Sequence, residues 1–132
     1  MQPKEIVTQF IHGIKSQHFD QAKNLLHVEG FEYVGPNMYF TDPEDMLAYL
    51  FGMAGIQKDI VVREIAAEGN SVFGVLDYKT YFEPIGDVRI AIWCTVDGEK
   101  IRKVEGFYNA AVVENMLNVD CLLYTSPSPR DS

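Results

Sequence analysis

Residues 71 to 108 read SVFGVLDYKTYFEPIGDVRIAIWCTVDGEKIRKVEGFY, and this stretch decides the fold. It divides into three strands. Residues 71 to 82 form a long one, closed by Pro84-Ile85-Gly86. Residues 87 to 96 alternate cleanly: Ile90, Ile92 and Cys94 share one face, and Arg89, Ala91, Trp93 and Thr95 share the other. Asp97-Gly98 is a tight hairpin signal, and residues 100 to 108 return as the last strand. One step upstream, residues 59 to 67 carry Ile60 and Val62, and Glu68-Gly69-Asn70 turns the chain into the 71 to 82 strand. Four successive strands joined by short turns predict an antiparallel meander.

The N-terminal half has a different period. Over residues 3 to 16, Ile6, Val7, Phe10, Ile11 and Ile14 make one helical stripe, with Pro3 at a first-turn position and Glu5 in the first turn. A second short helix is expected from Phe19 to Leu26, with Ala22, Leu25 and Leu26 inward. Phe31-Glu32-Tyr33-Val34 alternates as a short strand, stopped by Gly35-Pro36. Asp42 precedes a proline, which disfavours helical backbone there and suits an N-cap. Pro43 then opens a third helix, whose buried side is Met46, Leu47, Leu50, Phe51 and Ala54. The expected order is ααβαββββ. Helices first and a meander after define an α+β protein, with one curved antiparallel sheet carrying helices on one face.

The chain has 132 residues and a mass of 15.0 kDa, which is one domain. No apolar run approaches the length of a membrane span. Eleven Lys+Arg against nineteen Asp+Glu give a net charge of −8, which argues against nucleic-acid and anionic-membrane partners. The start, Met-Gln-Pro-Lys-Glu, has no apolar stretch of signal-peptide type, so a cytoplasmic location is expected. Residues 121 to 131, CLLYTSPSPRD, match one translated frame of a transposon-based sequencing adapter. The domain is therefore expected to be residues 1 to 120. Residues 121 to 132 are expected to be non-native, from a metagenomic or transcriptomic read. Setting them aside leaves Cys94 without a disulfide partner and leaves the charge unchanged.

The stretches IVTQFIHGIKSQHFDQAKNLL, FEYVGPNMYFTDPEDMLAYL, EGNSVFGVLDY and VDGEKIRKVEGFYNA, in this order and spacing, resemble the SnoaL-like branch of the nuclear transport factor two-like superfamily. The resemblance implies a cone-shaped α+β barrel: a strongly curved sheet wrapped around three helices, with a pocket inside. It also implies dimerisation through the outer face of the sheet. Function does not follow from such a fold, so each family chemistry is compared residue by residue. The place of the steroid-isomerase base holds Gly35, before Pro36, and its oxyanion-hole places hold Phe10 and Ile92. In the epoxide-hydrolase pattern, Asp77 matches one carboxylate, but the arginine place holds Val75 and the last-strand acid is Gly106. Relatives' last strands end aromatic-aromatic-Asp. This one ends Phe107-Tyr108-Asn109, and an amide cannot take a proton at neutral pH.

The first expectation is therefore a cofactor-free homodimer that binds a small, largely apolar or aromatic molecule in the cone. Its lining is expected to include Phe10, Tyr33, Tyr39, Asp77, Ile92 and Tyr108. An enzyme of isomerase, cyclase or hydrolase type is the alternative, with Asp77 as general base and Tyr33 or Tyr108 donating to an oxyanion. That role needs Asp77 to face the cone; facing outward, it is a solvated charge. A protein-interaction module using the outer sheet is the third reading, and it expects a filled cone with no cavity of roughly 300 Å³ or more. If Ile92 faces the cone, Trp93 belongs to the outer face. Met38, Met46 and Met53 are expected as core filler, and Cys94 as a small buried hydrophobe. His12, His18 and His27 have no metal-ligand spacing, so no metal site is expected.

Overall fold

A computed structural model describes residues 1–81 and 86–112 of the chain. The Pro84-Ile85 turn, Cys121 and the whole 121–132 tail lie outside the described residues. The elements are α1 (Pro3–Lys15), α2 (Phe19–Lys23), β1 (Glu32–Val34), β2 (Tyr39–Phe40), α3 (Pro43–Met53), β3 (Gln57–Glu68), β4 (Ser71–Thr80), β5 (Asp87–Asp97) and β6 (Lys100–Phe107). A further helical turn opens at Ala110.

Local chemistry explains the boundaries. At the start of α1, Glu5 Oε1 accepts from the Gln2 backbone N–H at 2.9 Å. Asp42 accepts from the Glu44 N–H at 2.9 Å and caps α3 as its sequence position predicts. The expected second helix ends early, at Lys23 rather than Leu26. The backbone of Leu25 and Leu26 is drawn away to the sheet: Leu25 C=O accepts from Ile101 N–H at 2.7 Å, and Leu26 bridges Ile101. Gly13 lets α2 lie close against α1, since a Cβ there would stand 3.2 Å from Ala22 Cβ.

The six strands form one sheet in the order β2-β1-β6-β5-β4-β3. The expected meander β3 to β6 is antiparallel throughout. Two features refine the sequence-based order. A two-residue strand, β2, pairs antiparallel with β1 across the Gly35-Pro36 turn. The β1 strand itself joins β6 in parallel, so the sheet is mixed, curved and unclosed. Gly69 and Gly98 sit in the β3–β4 and β5–β6 turns at positive φ, +61° and +70°, where glycine is the least strained residue.

The α1 stripe packs onto the concave face of the sheet. Ile6, Val7, Phe10, Ile11 and Ile14 form one buried cluster with Ile60, Val72, Leu76, Ile92, Cys94 and Val104. Phe31, Leu26 and Ile101 are fully buried where β6 meets the chain leaving α2. Cys94 is a buried free thiol, pushed up to about 12 by burial.

Candidate functional site

Between α1, α3 and the concave sheet face are two adjoining cavities of about 100 and 120 Å³. Strand alternation supplies the floor: Leu76 and Tyr78 from β4, Ile90 and Ile92 from β5 and Val104 from β6. Helix α1 contributes Phe10, Ile11 and Ile14, and α3 contributes Met46, Tyr49 and Leu50. Tyr33 reaches both cavities from β1, and Tyr108, Met53 and Val88 line the outer one. The lining is almost wholly apolar, and among the described residues no Asp, Glu, Lys, Arg or His belongs to it.

Its polar atoms are mainly phenol oxygens. Burial pushes Tyr49 and Tyr78 up to about 12, and it pushes Tyr33 well above the ordinary tyrosine range. Burial also raises Tyr108, partly offset by its contact with the Tyr33 hydroxyl. All four are neutral donors at physiological pH. Tyr33 and Tyr108 line the outer cavity together, and Tyr108 donates to Asn37 Oδ1 at 3.0 Å.

Two glycines make room for this pair. A Cβ at Gly106 would stand 3.0 Å from the Tyr33 hydroxyl, and one at Gly35 would stand 3.0 Å from the Tyr108 hydroxyl. These are two of the places where the family resemblance led us to look for carboxylates. The space is taken by tyrosines instead. At the third such place, Asn109 Oδ1 accepts from the Ala111 N–H at 3.0 Å, so its amide caps the helical turn that follows.

Of the residues singled out in the sequence, Phe10, Tyr33 and Ile92 come together at the inner cavity, and Tyr108 joins Tyr33 at the outer one. Tyr39 and Asp77 lie elsewhere. Tyr39 sits on the edge strand β2, exposed, and donates to Glu32 Oε2 at 2.6 Å. Asp77 lies between Leu76 and Tyr78, both of which face the cavities, so alternation turns it to the outer face. There it is held by two guanidiniums. Arg63 Nε donates to Oδ2 at 2.6 Å and Arg89 Nε donates to Oδ1. Arg63 is the residue left unpaired by a register irregularity in β3, which re-aims it toward β4. The two arginines cover the carboxylate to 5% side-chain exposure. The hydrogen bonds from Arg89 and then Arg63 hold it below the usual carboxylate range.

Sequence reading missed Tyr49. It lies on α3 next to Leu50, outside the run of apolar positions used to orient that helix. Its signal was weak: Tyr49 follows Met46 by three residues, a spacing that shares a helix face. Met46 and Met53, expected as core filler, also line the cavities. Among the described residues, no group of three or more His, Cys, Asp or Glu side chains is placed to hold a metal ion. No helix among them is long and apolar enough to cross a membrane.

The outer face of the sheet is distinct. Phe73 and Trp93 stack at 5.8 Å between ring centroids, and both are exposed, as is Phe107. With Val75 and Ala91 they line a shallow groove of about 400 Å³. Trp93 thus lies opposite Ile92, as strand alternation predicts.

No protein-family model and no curated protein matches the chain. Solved structures do. An NTF2-like protein of unknown function from Cytophaga hutchinsonii superposes with a TM-score of 0.71 at 20% identity, over 86% of this chain and 96% of that one. A protein with a ketosteroid isomerase-like fold from Catenulispora acidiphila, in complex with trimethylamine, gives 0.70 at 16% identity, over 83% and 88%. An epoxide hydrolase of the LEH-like kind from M. tuberculosis gives 0.71 at 15% identity, over 92% and 89%. The chain has the NTF2-like fold, the cone-shaped architecture of the nuclear transport factor two-like proteins.

Proposed function

We propose that this protein binds a small, largely apolar molecule inside the cone. The observation that carries the reading is the uncharged lining of the two adjoining cavities, walled by Phe10 and four tyrosines. Cavities of about 100 and 120 Å³ are well below the roughly 300 Å³ of a drug-sized pocket. They are close to the roughly 150 Å³ that admits benzene in an engineered apolar core. The occupant is therefore about one ring in size. A steroid would need the walls to move. The trimethylamine bound to the Catenulispora protein supports a small ligand for this architecture.

A general-base role for Asp77 finds no support in this geometry. A base must reach the substrate proton, and this carboxylate is bound by two arginines on the far side of the sheet from the cavities. Asp77 acts here as the brace between Arg63 and Arg89.

The exposed Phe73–Trp93 stack and Phe107 favour a second role for the sheet, as the contact face of a homodimer. A two-fold contact must be self-complementary, and this face carries both signs: Arg63 and Arg89 beside Glu64 and Glu105. Sedimentation should show a dimer that Trp93→Glu converts to monomer. A wild-type monomer at all concentrations would remove this part of the proposal.

Thermal unfolding against benzene, toluene and small cyclic terpenes tests the binding reading. A ligand at about 100 times its Kd adds roughly 2.7 kcal/mol of stability. In a domain of this size that moves the midpoint by on the order of ten degrees. A flat panel, with no ligand moving the midpoint, would contradict it.

A further inference from the structure

The cavity's polar end narrows the class of ligand, on the reading that the cavity binds one. Among the described residues the lining offers no counter-ion to a charged ligand, because none of those residues is ionised at neutral pH. Burying an unpaired charge is far more costly than burying a neutral polar group. A pure hydrocarbon, in turn, would leave the phenol oxygens of the wall facing apolar surface. Tyr33 lines both cavities, Tyr108 lines the outer one beside it, and Tyr108 donates to Asn37 Oδ1 at 3.0 Å. Gly106 and Gly35 leave the space that these two hydroxyls fill, each 3.0 Å from where a Cβ would be. A Cβ in either place would have to push a ring of the pair aside.

We propose that the Tyr33–Tyr108 hydroxyl pair, seated by Gly106 and Gly35, anchors a neutral single-ring ligand bearing one hydroxyl. A hydroxyl both donates and accepts. It can therefore pair with a phenol of the wall either as donor or as acceptor. The ring fits the volume, and the single polar group meets the phenols of the wall. Gly106 and Gly35 are specificity-determining through the tyrosines they seat, without touching the ligand themselves.

The test is a calorimetric or NMR titration of the full chain at neutral pH with phenol, toluene, benzoate and benzylammonium. Phenol should bind about tenfold tighter than toluene, the worth of one net hydrogen bond. Benzoate and benzylammonium, both ionised at this pH, should bind at least about tenfold more weakly than phenol. Tyr33→Phe should abolish the phenol preference while still binding toluene, which shows that the cavity is intact. Gly106→Ala should do the same through displacement of Tyr33, and Gly52→Ala, where an added Cβ meets nothing within 4 Å, should leave the preference unchanged. Equal affinity for toluene and phenol, or a preference that survives Tyr33→Phe, would overturn the anchor and leave the binding reading standing. Tighter binding of either ion would overturn the neutral class. Binding of none of the four would take down the anchor and the binding reading together.

Discussion

Asp77 and Leu76 are adjacent in the chain and stand on opposite faces of β4, and that single step separates a brace from a wall of the cavity. The carboxylate is held below its ordinary range, so its ion pairs stabilise the fold above the pKa it has in the unfolded chain. That contribution is lost as pH falls through the lower, folded-state pKa. Asp77→Asn should therefore lower the thermal midpoint at neutral pH, and the gap to wild type should close in acid. Ligand affinity should change little, because Asp77 stands on the face of β4 opposite the cavities. Loss of ligand binding in Asp77→Asn would contradict this placement. The face of Asp77 could not be read from sequence because a strand signals its alternation but not which set points inward. Tyr39 failed as a lining residue for a related reason. It belongs to a two-residue strand, too short to show any period. Phe10, Tyr33 and Ile92 were legible because each lies in a segment with a clear period and an identifiable apolar side.

At the scale of elements, local signals and long-range pairing part company. The Asp42-Pro43 start of α3 is visible in two residues and is present as a capped helix. Asp42→Ala should cost about 1 kcal/mol, read by denaturant melting. The α1 stripe is equally explicit, and Ile6, fully buried in it, should cost about 2–5 kcal/mol as Ile6→Ala. Strands β3 to β6 were legible because hairpin neighbours pair in sequence order. The parallel β1–β6 pair was not, since it joins residues 32–34 to residues 103–105 and has no turn to announce it. That pairing matters for the site. It sets Tyr33 opposite Val104, two residues from Gly106, and so brings the Tyr33 hydroxyl into the space that glycine leaves.

The whole molecule is a cone with an uncharged interior, and its response to alkali follows from that. Tyr49, Tyr78 and Cys94 have pKa values pushed up to about 12 by burial. The folded state keeps their protons where the unfolded chain releases them. Stability is therefore full below the ordinary thiol pKa of 9.0, begins to fall as the unfolded chain releases the Cys94 and then the tyrosine protons, and continues to fall as pH rises through about 12. Phenolate absorbance should show Tyr49 and Tyr78 ionising only together with loss of structure. Their ionisation near the ordinary tyrosine pKa of 10.0, with the fold intact, would show that the interior is open to water.

The central claim is that the cone takes a single-ring molecule between its helices and its sheet. A methyl-selective NMR titration with toluene tests it most directly. Saturable shifts are predicted at Leu50, Ile90, Ile92 and Val104, which line the cavities, with Val75 and Ala91 on the outer face unmoved. Shifts centred on Val75 and Ala91, or no saturable shift at any cavity methyl, would contradict it.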